Sequence, residues 1–215
     1  MHTPERPLLI FGARGFAQEV ADLAGDTPGV RVAGYVENYD RELCGERDGL
    51  PVLWIDDVAR MAGTHSAICG LGTTRRRALI EQVAAMGFEF IALIHPSARV
   101  SSKSSIGPGA IVSAGAIIAA HSRIGAHVIV NRGALLGHHL EIGACSTIGP
   151  GANIGGGCRL GEGVYIGIGA TIVDHLNIGR GSVVGAGAVV TRDLPERVLA
   201  VGVPAKVVKE GIEGK

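Results

Sequence analysis

Aliphatic side chains recur at every sixth position of the chain from Ile94 to Val190. Glycine often follows directly, as at Gly107, and a small residue often stands four positions after the aliphatic one, as at Ala110. An α-helix needs a period of about 3.6 residues, which this pattern lacks. A hexapeptide repeat of this kind predicts a parallel β-helix. The positions between the two ends are Val100, Ile106, Val112, Ile118, Ile124, Val130, Leu136, Ile142, Ile148, Ile154, Leu160, Ile166, Ile172, Ile178 and Val184.

The repeat also predicts which residues become neighbours. Three hexads form one triangular coil of about eighteen residues, with the aliphatic side chains stacked inside. Parallel pairing sets successive coils about 4.8 Å apart, so residues eighteen apart in sequence lie above one another. We expect the glycines to occur where a corner needs a left-handed or otherwise costly backbone.

The first ninety residues follow a different pattern. Apolar runs at residues 8–11, 30–36 and 66–71 alternate with helical spacing at residues 18–24 and with a basic helix predicted from residue 72 onward. A further apolar run, at residues 88–94, leads into His95-Pro96-Ser97-Ala98. This alternation predicts a small parallel α/β domain whose ligand lies at the loops after the strands. Those loops contain Gly12, Ala13, Arg14 and Gly15, then Glu37 and Asn38, then Gly72 and Thr73.

The turn from Gly12 to Gly15 is a candidate phosphate cradle, because glycine lets backbone N–H groups approach an anion at a helix N-terminus. Its spacing is not the full G-x-G-x-x-G fingerprint, and a tight strand-to-helix turn is the simpler alternative. Glu37, at the end of the second strand, can accept hydrogen bonds from a ribose or a base. A solvated loop charge is an equal alternative for Glu37.

Composition narrows the choice of partners. Lys+Arg and Asp+Glu both number 20, so the basic surplus of a nucleic-acid binder or a polybasic membrane anchor is absent. The apolar stretch near the start is too short for a signal peptide, and no apolar run approaches the ~20 residues of a membrane span. We expect a cytoplasmic chain that binds neither nucleic acid nor membrane. The four cysteines (44, 69, 145 and 158) lack metal-ligand spacing and are interpreted as reduced thiols.

Several motifs together resemble one family, the left-handed β-helix sugar O- and N-acetyltransferases related to the bacillosamine and perosamine N-acetyltransferases and to the sialic acid O-acetyltransferases. The resemblance covers nearly the whole chain. It depends on the unbroken hexads and on five motifs, which are Phe11-Gly12-Ala13-Arg14-Gly15, His95-Pro96-Ser97-Ala98, Asn131, Gly137-His138 and Gly202-Val203-Pro204-Ala205-Lys206.

The resemblance implies a fold and a set of partners. It implies a Rossmann-like α/β domain that binds a nucleotide-linked amino sugar (residues 1–93), a left-handed parallel β-helix (residues 94–195) and a C-terminal tail (residues 196–215). It also implies a homotrimer that needs no metal and that binds acetyl-CoA in a groove between adjacent β-helices. Asn131 matches a family residue near the sugar, and the acetyl-CoA contacts implied are Thr147, Gly155, Gly156, Ile168, Ala186 and Lys206.

The resemblance makes His138 the general base. The pattern agrees, because Leu136 and Leu140 take inward positions and leave His138 and His139 pointing outward. Relatives carry a carboxylate where this chain has His139, so His138 needs another partner for its second nitrogen. His121 stands eighteen residues before His139, and we hypothesise that it supports His139 in that role.

The sequence thus predicts an acetyl-CoA-dependent N-acetyltransferase acting directly on an amine of a nucleotide-linked deoxyamino sugar, in glycan biosynthesis. An O-acetyltransferase of the sialic acid type is the alternative within the family. Outward histidines also fit a γ-type carbonic anhydrase, which holds zinc with three histidines. A non-enzymatic nucleotide-binding trimer is a further alternative. A nicotinamide-dependent oxidoreductase is disfavoured, because ninety residues hold only half of a dinucleotide fold.

Overall fold

A computed structural model describes residues 6–215 and divides the chain into two compact units. The first runs to Gly72 and resumes from Arg76 to Pro96, and the second comprises Thr73–Arg75 and Ser97–Lys215. Residues 1–5, which form part of the segment assessed for a signal peptide, lie outside the described residues. No helix in residues 6–215 is both long enough and apolar enough to cross a membrane.

The N-terminal unit is built on one largely parallel sheet with strand order β3-β4-β2-β1-β5-β6, in which only the β3–β4 pair is antiparallel. Strand β1 lies at its centre with every residue buried. The elements are β1 Leu8–Phe11, α1 Gly15–Asp26, β2 Val32–Glu37, β3 Gly45–Arg47, β4 Leu50–Trp54, β5 Ser66–Cys69, α2 Arg77–Ala85, β6 Glu89–Phe90 and β7 Leu93–Ile94, with 3₁₀ turns at Arg41–Leu43, Ile55–Asp57 and Ala59–Met61.

Helix α1 buries Ala17, Val20, Leu23 and Ala24, which confirms the helical spacing seen in the sequence. Two features differ from the prediction. Strand β4 was not expected, since the half-exposed Leu50–Trp54 segment has only a short apolar run, yet it pairs with β2. Helix α2 begins at Arg77 rather than at residue 72, and the residues before it form a turn.

The second unit is a left-handed parallel β-helix. Its strands repeat on three faces, and residues eighteen apart pair in register, as Leu136 does with Ile154. Face 1 contains β10 Ile111–Val112, β13 Ile129–Val130, β16 Thr147–Ile148, β19 Tyr165–Ile166, β22 Val183–Val184 and β24 Leu199–Val201. Face 2 contains β8 Arg99–Val100, β11 Ile117–Ile118, β14 Leu135–Leu136, β17 Asn153–Ile154, β20 Thr171–Ile172 and β23 Val189–Val190. Face 3 contains β9 Ser105–Ile106, β12 Arg123–Ile124, β15 Glu141–Ile142, β18 Arg159–Leu160 and β21 Asn177–Ile178.

The hexad prediction is confirmed along the body of the β-helix. Every predicted aliphatic position from Val112 to Val190 is buried, while Val100 and Ile106 in the first coil are only half-buried. The small residues that stand four positions after each aliphatic residue fill the corners of the coils. Ser122 shows how a polar one fits there, because its Oγ donates to the Gly137 carbonyl at 3.0 Å and accepts from the Leu140 amide at 3.1 Å.

We expect from the sequence that the glycines directly after the aliphatic positions have a left-handed backbone. The structure shows another reason for them. A Cβ added at Gly137 would lie 2.7 Å from the Gly156 nitrogen, so glycine is needed because the next coil approaches too closely. The left-handed conformation occurs two residues further on. Glycine occupies many of those positions, and the non-glycine residues there are His121, His127, His139, Cys145 and His175.

The parallel stack continues beyond residue 195, where we had placed the start of a tail. Strand β24 pairs in parallel with β22, and β25 (Lys206–Lys209) turns back antiparallel to it. At the end of face 3, both carboxylate oxygens of Asp193 accept hydrogen bonds from Asn177.

Candidate active site

His138 and His139 project outward at the corner between faces 2 and 3, as the hexad pattern predicts. Both are exposed, whereas Leu136 and Leu140 on either side are buried. The His138 ring lies close against the next coil at Gly156. A Cβ added at Gly156 would come within 2.6 Å of the His138 Cε1 atom and 2.8 Å of Nε2, so only glycine allows the imidazole this position.

The second nitrogen of the His138 ring has a partner. Its Nδ1 lies 3.0 Å from Nδ1 of His139, and the two rings are nearly perpendicular at 86°. A hydrogen bond between two Nδ1 atoms needs the hydrogen on one and a lone pair on the other. When His138 carries that hydrogen, its Nε2 has the free lone pair that a general base requires.

His139 is held by its own backbone and by the coil before it. It has φ of 56°, and its amide donates to the Ala120 carbonyl at 3.0 Å. The His121 ring lies one coil away with its centroid 4.9 Å from that of His139, tilted by 32°. The predicted neighbourhood of His121 and His139 is therefore confirmed, as a partly stacked pair.

These histidines line a groove of about 530 Å³ along the start of face 3. Its charged wall is a ladder in which Glu141 forms ion pairs with Arg123 and, at 3.7 Å, with Arg159. The groove therefore offers an imidazole base together with a wall of positive and negative charge. Its lining residues are His121, Arg123, His138, His139, Glu141, Gly157, Arg159 and His175.

Each of the three glycines opposite His138 is required for a different physical reason. A Cβ at Gly155 would lie 2.5 Å from the Asp174 nitrogen, Gly156 makes room for the imidazole, and Gly157 has φ of 72°. The amide of Gly156 donates no hydrogen bond within the described part of the chain. A free N–H beside an imidazole can stabilise an oxyanion.

The other residues predicted on the β-helix lie elsewhere. Asn131, Ile168 and Ala186 are at the corner between faces 1 and 2, Thr147 is buried on face 1, and Lys206 is exposed on β25. The Asn131 amide nitrogen donates to the Ile148 carbonyl at 2.9 Å, which holds its side chain in the wall. Within one chain, the corner of Asn131, Ile168 and Ala186 is thus distinct from the corner of His138.

In the N-terminal unit the predicted turn joins β1 to α1. Gly12 has φ of 124°, and its amide donates to the Val36 carbonyl at 2.8 Å. The Ala13 carbonyl accepts a hydrogen bond from Arg47. The amides of Gly15 and Phe16, at the start of α1, donate to no group within residues 6–215. This turn therefore has the free N–H groups that an anion needs.

Of the two interpretations of Glu37 made from the sequence, the solvated loop charge is wrong. Its side chain is only 3% exposed, and Oε1 accepts hydrogen bonds from the amides of Asn38, Tyr39 and Asp40 at 3.0, 2.8 and 3.3 Å. The carboxylate is therefore a buried support for the loop after β2, and not a solvated charge. Asn38 is half-buried within that loop.

Gly72 and Thr73 separate at the boundary between the two units. Gly72 lies in the N-terminal unit against Phe16, where an added Cβ would come within 3.3 Å of the ring. Thr73 belongs to the β-helix unit, and its hydroxyl donates to the carbonyl of Lys215. The sequence offers no signal for this contact, because it joins residues 142 positions apart.

The cysteines form no disulfide. Burial raises the pKa of the Cys158 thiol, and its Sγ donates to the Val173 carbonyl at 3.1 Å. Among residues 6–215, no cluster of three or more His, Cys, Asp or Glu side chains has an arrangement that could hold a metal ion.

Comparison with known proteins matches residues 157–192 to the family model described as bacterial transferase hexapeptide (six repeats). No curated protein sequence matches the chain significantly.

Solved structures match over almost the full length. PerB from Caulobacter crescentus in complex with CoA and GDP-perosamine is 36% identical, with a TM-score of 0.84 over 94% of this chain and 97% of that one. A histidine-to-asparagine variant of perosamine N-acetyltransferase from C. crescentus, also in complex with CoA and GDP-perosamine, is 35% identical, with a TM-score of 0.88 over 95% and 97%. The acetyltransferase domain of PglB from Neisseria gonorrhoeae FA1090, in complex with acetyl coenzyme A, is 35% identical, with a TM-score of 0.87 over 95% and 100%.

Proposed function

The chain belongs to the left-handed β-helix sugar acetyltransferases of the hexapeptide-repeat family, and we propose that it transfers an acetyl group from acetyl-CoA to the amine of a nucleotide-linked deoxyamino sugar. It is an acetyltransferase. The choice of substrate is supported by three similar structures, two with CoA and GDP-perosamine and one with acetyl coenzyme A. The single observation that carries the proposal is the His138 imidazole lying close against Gly156, whose amide has no partner among the described residues.

The proposed reaction is a direct transfer. The amine nitrogen attacks the thioester carbonyl carbon, and the carbonyl π electrons move to the oxygen. Nε2 of His138 takes a proton from the attacking nitrogen, and the Gly156 N–H donates a hydrogen bond to the oxyanion. Collapse of this intermediate breaks the carbon–sulfur bond, and the departing thiolate is protonated to give CoA. Nδ1 of His138 meanwhile donates to His139, which holds the ring in the required tautomer.

We assign binding of the nucleotide diphosphate to the N-terminal unit, as a Rossmann-like domain. Support comes from the parallel sheet and from the free amides of Gly15 and Phe16 at the start of α1. No acidic side chain lies in the first turn of α1 to compete with a phosphate. The free amides and the positive end of the helix dipole favour an anion at this turn.

We also propose that the active enzyme is a homotrimer with its site shared between copies. Ile168 and Ala186 have amides with no hydrogen-bond partner among residues 6–215, which suits the amide-rich pantetheine arm of acetyl-CoA. They occupy a different corner of the β-helix from His138. One site that uses both corners therefore requires two copies of the chain. Face 2, between these corners, carries the exposed apolar side chains of Ile117 and Leu135, which suit burial against another copy.

A turnover screen tests this function. Amino sugar nucleotides with different bases are incubated with acetyl-CoA, and acetylated products are identified by mass spectrometry for the wild type and for His138→Ala. We expect product with at least one amino sugar nucleotide, and a loss of about 100-fold or more in kcat for His138→Ala, as is usual for removal of a general base. Arg180→Ala is a matched control, since Arg180 takes the same hexad position at another corner.

Two outcomes would count against the proposal. Equal turnover by the wild type and His138→Ala would remove His138 as the base. Acetyl-CoA binding without acetylation of any amino sugar nucleotide would refute the substrate class.

A further inference from the structure

His121 stands on the same corner of the β-helix as the proposed base, one coil before His139. Its ring centroid lies 4.9 Å from that of His139, and the two ring planes are tilted by 32°. Aromatic rings about 4.5–7 Å apart in an offset arrangement attract each other beyond the area that they bury. The His121 side chain forms no hydrogen bond with any of residues 6–215, so the ring of His139 is its one specific partner in that part of the chain.

The corner that carries His121 is held by hydrogen bonds on both sides of this residue. The Ala120 carbonyl accepts from the His139 amide at 3.0 Å, and the Ser122 amide donates to Oγ of Ser104 at 2.9 Å. His121 has φ of 62° and His139 has φ of 56°, so both side chains leave their coils in the same way. The two rings lie together because the two corners have the same backbone geometry.

His139 needs this contact, because its other surroundings leave the ring free to turn. The side chain is exposed, and its one hydrogen bond joins Nδ1 to Nδ1 of His138 at 3.0 Å. In the next coil the corresponding residue is Gly157, which has no side chain to pack against His139. An exposed side chain that is held in one rotamer loses conformational entropy, and a stacking partner offsets part of that loss.

The orientation of the His139 ring decides which nitrogen of the base is available. When Nδ1 of His139 faces His138 as an acceptor, the hydrogen of His138 stays on Nδ1 and its Nε2 keeps the lone pair. If the His139 ring turns away, His138 can hold its hydrogen on Nε2, where it blocks proton transfer. A restraint on His139 therefore increases the fraction of His138 that is ready to act as a base.

We infer that His121 is a positioning residue of the active site, which stacks on His139 and holds it in the orientation that keeps His138 in its basic tautomer. The inference rests on the proposed function and deepens it, because it adds a third imidazole to the base and its hydrogen-bond partner. His121 acts only through His139 and touches neither the substrates nor the reacting atoms. Its removal should therefore lower kcat and leave the KM values of both substrates unchanged.

A double-mutant cycle tests the inference. Kinetic constants are measured for the wild type, His121→Gly, His139→Gly and the double variant, because glycine adopts the φ of 62° at position 121 without strain. We expect kcat to fall roughly 2- to 12-fold in His121→Gly, as for the loss of one aromatic contact. In the His139→Gly background, His121→Gly should have no further effect, because the ring through which it acts is gone. His127→Gly, at a corner with φ of 57°, is the matched control that should leave kcat unchanged.

A second measurement does not depend on turnover. Nitrogen-15 spectra of labelled histidine side chains, recorded where the rings are neutral, show which ring nitrogen carries the hydrogen, and comparison with His138→Ala assigns the His138 signals. We expect the Nδ1–H form of His138 to predominate in the wild type and to lose population in His121→Gly. His121→Phe keeps a flat ring without nitrogen atoms. It should retain the Nδ1–H form and the wild-type kcat, with a lower Tm because of its left-handed backbone.

Four results would overturn the inference. An equal loss of kcat from His121→Gly in the wild-type and His139→Gly backgrounds would show that His121 acts without His139. A raised KM for either substrate would make His121 a substrate contact. An unchanged Nδ1–H population in His121→Gly would show that the ring does not orient the base, and a loss of kcat in His121→Phe as large as in His121→Gly would assign the effect to the ring nitrogens. If the wild type acetylates no amino sugar nucleotide, the proposed function fails, and the tautomer measurement then decides whether His121 orients the pair.

Discussion

Replacing His139 by glycine tests how the catalytic imidazole is oriented. Nδ1 of His139 is the hydrogen-bond partner of Nδ1 of His138 at 3.0 Å, and this contact matters most when His138 has taken a proton and carries a positive charge. The backbone at position 139 has φ of 56°, which glycine adopts without strain. The substitution therefore removes the acceptor and leaves the coil unchanged.

The size of the effect follows from the kind of bond that is lost. A hydrogen bond to a charged group contributes about 1.5–3 kcal/mol, so kcat should fall about 10- to 150-fold in His139→Gly. KM for acetyl-CoA should change little, because the charge on His138 develops only during the reaction. His139→Asp supplies a charged acceptor, and aspartate tolerates this backbone conformation. We expect it to restore kcat to the wild-type value or above, with His139→Asn between the two.

The assay is continuous detection of the CoA thiol at varied acetyl-CoA and saturating acceptor, over a range of pH. His127→Gly is the matched control, because His127 has φ of 57° at a different corner and should leave kcat unchanged. Wild-type kcat in His139→Gly would refute the reasoning. So would an equally low kcat in His139→Asp, since it would mean that an acceptor at this position does not matter.

Three further changes have clear expected outcomes. Gly156→Ala should lower kcat at least 10-fold with little change in Tm, because the atoms nearest to its methyl group belong to the movable ring of His138, from 2.6 Å. Ser182→Ala should reduce the free energy of unfolding by about 1–3 kcal/mol, since the buried Oγ donates to the Pro195 carbonyl and accepts from a backbone amide. Hydrogen bonds from the backbone and, second, from the side chain of Asn177 hold the pKa of the Asp193 carboxyl below its ordinary value of 3.8. The Asp193 carboxylate therefore stabilises the fold fully at pH values above 3.8, and this stabilisation is lost as the pH falls below 3.8. Asp193→Ala should therefore lower Tm at pH 6, and the difference from the wild type should disappear in acid.

Matched variants and contrary results define these tests. Gly155→Ala is the matched variant of Gly156→Ala, and it should lower Tm because its methyl group would lie 2.5 Å from backbone atoms. An unchanged kcat in Gly156→Ala would argue against the placement of the His138 ring beside Gly156. Ser102→Ala, at an exposed position, should leave the free energy of unfolding unchanged. If Ser182→Ala also leaves the free energy of unfolding unchanged, the buried hydroxyl does not have the stabilising role assigned to it. A Tm difference for Asp193→Ala that persists unchanged into acid would remove the carboxylate as its cause.

The periodic part of the chain could be predicted in detail because its geometry repeats. Burial at each sixth residue, the outward direction of His138 and the contact of His121 with His139 all follow from counting along the sequence. The reason for the glycines does not follow in this way. Gly137 and Gly157 take different hexad positions, but only the structure shows that the next coil excludes a side chain at Gly137 and that Gly157 has a left-handed backbone.

The non-repeating part was less predictable, since its contacts join distant segments. Glu37 ends a strand as expected, but only coordinates reveal that its carboxylate is buried under three amides of the next loop. The contact of Thr73 with Lys215 brings together segments that share no pattern.

The uniform corners of the β-helix have a consequence for how such enzymes diversify. Every coil offers the same outward-facing positions, about 4.8 Å above or below the last. Exchanging a few corner residues between neighbouring coils would therefore move the catalytic imidazole by one coil along the axis of the β-helix. Such a shift would let the same β-helix accept substrates of different length, because the distance between the imidazole and the substrate-binding residues changes while the stacked core stays the same.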